Sequence, residues 1–484
     1  MKIINPFLQG PFEPLKNEYK IESAHVIGKI PAELKGTLYR TGSNVEYMME
    51  DPNRFHWFDG DGMVHAFRLN DGEASYICRW VETEGLKVER KAGKQLYNGI
   101  YGRSEKPQIE LPSDAPEIKT VAGINVIRLG ERLLTMHEVE NHYWELDPIT
   151  LETIGKFDFN GGIKGMLTAH PHFDHLANEW LFCAFDNEAR IVTSFTTDPD
   201  GNVISKYETR LGFSPWNHDL IFTENYFIYF FGMISFRPLS PDRIPQGKSA
   251  FFIDPDTGLD AKMLFINRKN GEAQWMEPEN SPYIIGHFMN AYEENGEIIV
   301  DASITPLSGE INTFNPEDYY PFPFVPGPAA FKGPELWRLS FSLEDGKVET
   351  QRIGDFNAEF CRPNETVMGT KIRYGYVTTI HNPGPETRGF NSIAKHDYET
   401  GETQFQHLAY GYDMVPGEVI YVPHPQSESE DHGWIMNIWY DPRRNTSQMI
   451  IFDAQNFDGE PLARITLDHR IPLGFHGNWI EDKA

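Results

Sequence analysis

Apolar residues in this chain fall into short runs, many alternating with polar positions, and each run is closed by Gly, Asn, Asp or Pro. The pattern predicts strands at 24–30, 37–40, 64–69, 74–80, 124–129, 180–185, 226–231, 297–303, 336–342, 374–379, 433–440 and 449–453. A period of two puts one side-chain face in a core and leaves the other in water. Turn sequences sit between the runs, among them Asn70-Asp71-Gly72, Glu294-Asn295-Gly296 and Glu344-Asp345-Gly346. Glycine supplies the positive φ that such tight turns need. Amphipathic helical windows are scarce, and the segments 241–243 and 386–390 read as loops. Short strands at regular spacing predict an all-β sandwich, barrel or propeller. The phrases Asp147-Pro148-Ile149-Thr150, Asp254-Pro255-Asp256-Thr257-Gly258 and Asp397-Tyr398-Glu399-Thr400-Gly401 recur after strands, which suits blade-like repetition. No linker interrupts the pattern, so one domain over residues 1–484 is expected.

Composition narrows the partners. Of the 484 residues, 40% are hydrophobic and 13% aromatic, ample for a large core. The formal net charge of −28 argues against nucleic acid and against charge-driven docking on anionic lipid. Contact with a membrane would have to be hydrophobic and transient. Three cysteines, Cys78, Cys183 and Cys361, are odd in number and far apart, which excludes a disulfide framework and a Cys-based zinc site. The N-terminus lacks a signal-peptide run and no stretch reaches transmembrane length, so a cytoplasmic protein, a monomer or weak oligomer, is expected. The proline- and aromatic-rich segment 314–334 reads as an ordered loop that could line a tunnel entrance or pack as a surface cover.

Four of the 17 histidines stand in distinctive settings. They are His170 in Thr168-Ala169-His170-Pro171, His218 in Asn217-His218-Asp219, His287 in Gly286-His287-Phe288-Met289-Asn290 and His476 in Phe475-His476-Gly477-Asn478-Trp479. They spread over more than half the chain, so only the global fold can gather them. A propeller axis does this, because the inner strands of all its blades converge there. Neutral imidazole suits iron, copper, zinc and nickel alike. A metal-bound imidazole commonly hands its other N–H to a carboxylate. Glu138, Glu359 and Glu418, each flanked by apolar residues, are the candidates for that task. His172 and His175 read as loop residues. No Gly-x-Ser-x-Gly elbow appears, which disfavours a hydrolase.

These residues carry a resemblance. Phe58-Asp59-Gly60-Asp61-Gly62-Met63 and Leu34-Lys35-Gly36-Thr37-Leu38-Tyr39-Arg40 resemble signatures of the carotenoid cleavage oxygenase family. The four histidine settings resemble its four iron ligands in order, and Glu138, Glu359 and Glu418 fall on its three glutamates one shell out. The resemblance implies a seven-bladed β-propeller with loops and short helices capping one face. It also implies non-haem Fe(II) on the axis and oxidative cleavage of a conjugated C=C bond by O₂ to two carbonyl products. The expected catalytic residues are then the four histidines, and the expected partners are an apolar conjugated small molecule and O₂. A propeller that serves only as a binding scaffold is the remote alternative.

The substrate is less determined. The run Lys87-Val88-Glu89-Arg90-Lys91-Ala92-Gly93-Lys94 with Tyr101 after it resembles the stilbene-cleaving branch, in which a tyrosine at the Tyr101 position and a lysine just before the first glutamate bind the phenol hydroxyl. His137 takes that lysine's place, and Ile124 stands where the family has a threonine near the open iron site. The phrase Arg470-Ile471-Pro472-Leu473-Gly474-Phe475-His476-Gly477 looks more like the carotenoid side. A carotenoid or apocarotenoid is the expectation, with a stilbene or phenylpropenoid as the alternative. Phe58, Tyr101, Ile124 and His137 are the candidate pocket residues.

Overall fold

A computed structural model of the chain describes residues 5–97, 111–113, 115–116, 119–213, 217–232, 234–236, 251–253, 262–278, 283–306, 334–383, 387, 389–408 and 410–482. Tyr101 and the segment 314–333 lie outside the described residues. So do 241–243, while 386–390 is described only in part.

Among the described residues the strands form seven antiparallel sheets of four to six strands, with one further two-stranded ribbon. The architecture is a seven-bladed β-propeller. Blades 2 to 6 are each built from one run of the chain, beginning at Asn125–Leu129, Met166–Leu167, Leu220–Phe222, Tyr283–Glu294 and Glu359–Pro363, with the ribbon of Ile234–Phe236 and Phe251–Ile253 inserted within blade 4. Blade 7 runs from Val415–Pro416 to Ala463–Thr466 and takes its outer strand, His25–Gly28, from near the N-terminus. Blade 1 combines Gly36–Ser43, Gly62–Asn70 and Glu73–Trp80 with the C-terminal strand Gly477–Glu481. Two blades thus join the chain's opposite ends, and the ring is closed by hydrogen bonds in both.

The predicted strands are all found, and the alternation behind them is plain at Glu73–Trp80, where buried and half-exposed residues alternate. Inner strands such as Gly433–Asp441 are buried on both faces, because blades pack on either side of them. Buried residues form clusters between neighbouring blades; one joins Phe222, Phe227 and Phe265 to Ile298, Val300 and Phe341.

One element was not predicted. Glu84–Ala92 is the only α-helix among the described residues. Thr83 caps it by accepting the Leu86 N–H, and Gly93 ends it at φ 67°. Its Glu89 is fully buried and paired with Lys119, which also meets Asp61 at 2.6 Å. Asp61 belongs to the Phe58–Met63 signature, whose glycines are demanded by space. A Cβ at Gly60 would lie 1.9 Å from Ser43 Oγ, and one at Gly62 2.2 Å from the Val121 carbonyl oxygen. The three cysteines are buried and free.

Candidate metal centre

Each of the four histidines leads into or lies on an innermost strand. His170 precedes the strand His172–Asp174 in blade 3, and its N–H is held by Thr168 Oγ1 at 3.0 Å. His218 precedes Leu220–Phe222 in blade 4. His287 sits where the ladder of Tyr283–Glu294 shifts register between Ile285 and Phe288. Such a bulge re-aims a side chain, here toward the axis. His476 precedes Gly477–Glu481, and its N–H donates to the Ile124 carbonyl at 3.0 Å.

The rings converge through Nε2. His170 to His476 is 3.0 Å, His287 to His476 3.1 Å and His218 to His287 3.2 Å, and one ligand atom of each lies within 4.8 Å of all the others. The other ring nitrogens show why these contacts are not a hydrogen-bonded set. Nδ1 of His287 meets Glu359, Nδ1 of His218 meets Glu138, and Nδ1 of His476 meets Glu418 at 2.7 Å. A nitrogen facing a carboxylate carries the proton, so three unprotonated Nε2 lone pairs point at one another and toward His170. Converging lone pairs repel unless a cation lies between them.

The spacing also fits a metal. Two nitrogens about 2.1 Å from an ion are about 3.0 Å apart at a right angle and about 3.4 Å apart at the tetrahedral angle. The observed separations of 3.0, 3.1 and 3.2 Å fall within that range, so His170, His218, His287 and His476 could hold one ion. His170 differs from the other three, since its Nδ1 is 3.6 Å from Glu138.

Electrostatics favours the unprotonated form at two of the four imidazoles, whereas at His287 burial is outweighed by Glu359 and the ring's pKa is raised. Burial and then the neighbouring imidazoles hold His170 well below the ordinary histidine range, and burial brings His476 to about 4 despite Glu418. Burial would raise Glu418, but Arg362, His476 and Arg40 outweigh it and bring the carboxyl down to about 2. Glu359 is likewise lowered, with burial opposed by His287 and a hydrogen bond from Ser303.

The whole arrangement matches known proteins. Residues 12–481 fit the family model described as retinal pigment epithelial membrane protein. The chain belongs to the carotenoid cleavage oxygenase family. It is 29% identical to the apocarotenoid-15,15'-oxygenase of Synechocystis, over 97% of this chain and 94% of that protein. It is 30% identical to lignostilbene-alpha,beta-dioxygenase isozyme III of Sphingomonas paucimobilis, over 98% and 96%. The crystal structure of Pseudomonas brassicacearum lignostilbene dioxygenase superposes with a TM-score of 0.87 at 25% identity, covering 99% of both chains.

Within this family member, the N-terminal signature gains a physical role. Arg40 is buried, with its guanidinium 3.6 Å from Glu418, the carboxylate behind His476. Of the candidate pocket residues, Ile124 and His137 are buried, while Phe58 is half-buried with its ring 5.4 Å from Phe475. Phe360 is an addition. It packs on the rings of His287 and His476, with ring centroids 5.5 Å from each, and adopts φ 51° where its ladder slips between Glu359 and Arg362.

Sequence reasoning also missed Asp219. Its Oδ2 accepts the Phe288 N–H at 2.9 Å, beside His287, and its Oδ1 lies 3.2 Å from His172 Nε2. Asp219 stands next to His218 in the motif that marked that ligand, so the signal was present. The expectation that His172 is a loop residue is corrected: it opens the strand His172–Asp174 and faces Asp219.

Proposed function

We propose that this protein is an Fe(II)-dependent dioxygenase that cleaves a conjugated C=C bond of a carotenoid or apocarotenoid with O₂, yielding two carbonyl products. The observation that carries the reading is the convergence of four imidazole Nε2 atoms, three of them backed by Glu138, Glu359 and Glu418. His170, His218, His287 and His476 would hold the ion, and four neutral ligands leave its full charge for O₂. Bound iron would supply the activation of O₂ that an alkene alone does not achieve.

The protein's own groups do the remaining work. The three glutamates fix the imidazole tautomer and orientation, an effect worth about 10–100-fold in metal affinity or activity at comparable sites. Phe360 packs on two of the rings and restricts how they tilt. Ile124, where a hydroxyl would otherwise stand, makes its side of the centre drier. The buried aromatic groups around Phe58 and Phe475 suit an apolar substrate. We place this activity in one propeller unit spanning the chain and in the cytoplasm. Among the described residues no helix is long and apolar enough to cross a membrane.

A phenolic alkene is the second reading, favoured by the 0.87 superposition on a lignostilbene dioxygenase. The deciding experiment is aerobic turnover of Fe(II)-loaded protein on an apocarotenal, a full-length carotenoid, resveratrol and isoeugenol, read by mass spectrometry for paired carbonyl products. Polyene cleavage supports the first reading. Exclusive cleavage of resveratrol or isoeugenol replaces it with the second, and His137 then becomes the candidate phenol partner.

A further inference from the structure

A cavity of about 70 Å³ borders His170, His287 and His476, large enough for several waters. At each of the four histidines a residue just after it in the chain lines the cavity: Asp219 after His218, Phe288 after His287, His172 after His170 and Asn478 after His476. The cavity therefore runs from the imidazole cluster in one common direction along the inner strands. Phe58, Ile124 and His137, the residues expected to face substrate, are not among its lining.

Exposure rises along this chamber. Glu418 is fully buried, His172 and Arg362 are 17% and 14% exposed at the side chain, and Glu365 is 43% exposed. The mouth is thus marked by Glu365, with Arg362 bridging it to the interior. Arg362 meets Glu365 at 2.6 Å, Asn478 Oδ1 at 2.7 Å and Glu418 at 3.3 Å. Three carboxylates, Asp219, Glu365 and Glu418, line a passage that has one lining guanidinium, and Asn125 and Asn478 add neutral polar side chains.

We propose that this axial chamber is the path by which a divalent metal ion reaches the four imidazoles, entering past Glu365 and not through the substrate side. The proposal rests on the reading of the imidazoles as a metal site. A hydrated dication loses most of its solvation in an apolar tunnel, whereas a wet passage lined by carboxylates replaces water with oxygen ligands step by step. Carboxylates at a mouth also raise the local cation concentration and the entry rate. Arg362, held between Glu365 and Glu418, stands across the passage between its mouth and the imidazoles.

The test follows Co(II) uptake by metal-free protein in a stopped-flow spectrometer, using the visible absorption of the bound ion. Glu365→Lys should slow association about tenfold at low ionic strength, in the range seen for charge steering. Because a barrier at the mouth acts on entry and exit alike, dissociation slows too, and affinity changes far less than rate. Added salt should slow uptake by the native protein and narrow its difference from the variant. Turnover of Glu365→Lys once fully loaded should match the native protein, and Glu365→Asp should restore fast uptake. Saturating resveratrol or apocarotenal should leave native uptake unchanged. Uptake unaltered in Glu365→Lys, or blocked by those alkenes, would overturn the route. Failure of the native protein to bind Co(II) at all would instead overturn the metal-site reading on which the route rests.

Discussion

A carboxylate behind an imidazole sets two properties together, the tautomer and the angle of the ring. At this centre each of the three carboxylates comes from a different blade than the histidine it meets. Glu359 opens the first strand of blade 6 and meets His287 of blade 5, and Glu418 of blade 7 meets His476 of blade 1. The individual residues were readable from their settings, but the pairing was not, since it depends on how blades neighbour one another. Arg40 and Arg362 were invisible as partners of Glu418 for the same reason. Glu359→Gln keeps the shape and removes the charge, so metal affinity should fall about 10–100-fold with the fold intact. Isothermal titration with Fe(II) or Co(II) checks this, and unchanged affinity would detach Glu359 from the centre. A second buried carboxylate gives a pH test. Glu140 is buried, and burial lifts its carboxyl from 4.5 to about 7. The unfolded chain loses that proton near 4.5 while the folded protein keeps it to about 7, so folding loses stability as pH rises through that window. Glu140→Gln should therefore leave the melting temperature unchanged near pH 4 and raise it at pH 8, by a stability of about 1–3 kcal/mol. A pH-independent difference would contradict the assignment.

At the scale of elements, strands were legible because half-buried strands alternate, and the alternation survives in the sequence wherever one face meets a core. The helix Glu84–Ala92 was not. Its buried face includes a glutamate, and its Lys87, Glu89, Arg90 and Lys91 look like a solvated charge run. Thr83 and Gly93 were the signals that sequence reading passed over. What holds the helix down is Lys119, which joins Glu89 of the helix to Asp61 of the Phe58–Met63 turn. Lys119→Met would leave two buried carboxylates without their cation, at a cost of about 3–5 kcal/mol. Urea unfolding should show that loss, with hydrogen exchange accelerated over residues 84–92. A variant within 0.5 kcal/mol of the native protein, about the scatter of an ordinary surface change, would remove the triad's structural role.

At the scale of the whole molecule, ring closure is what makes the site. The C-terminal strand Gly477–Glu481 joins blade 1, and that pairing carries His476 to a centre whose other ligands come from blades 3, 4 and 5. The all-β class and the repetition were readable from pattern alone. The number of blades was not, because short strands and turns look alike in sandwiches and propellers. It entered through family resemblance and is borne out by the seven sheets. The direct test of the account is the metal stoichiometry of freshly prepared protein titrated with Fe(II) under anaerobic conditions, beside His170→Ala, His218→Ala, His287→Ala and His476→Ala. One ion per native chain, with binding greatly weakened in every variant, is the predicted result. Full occupancy retained in His476→Ala, or in any of the other three, would contradict a centre built from four imidazoles.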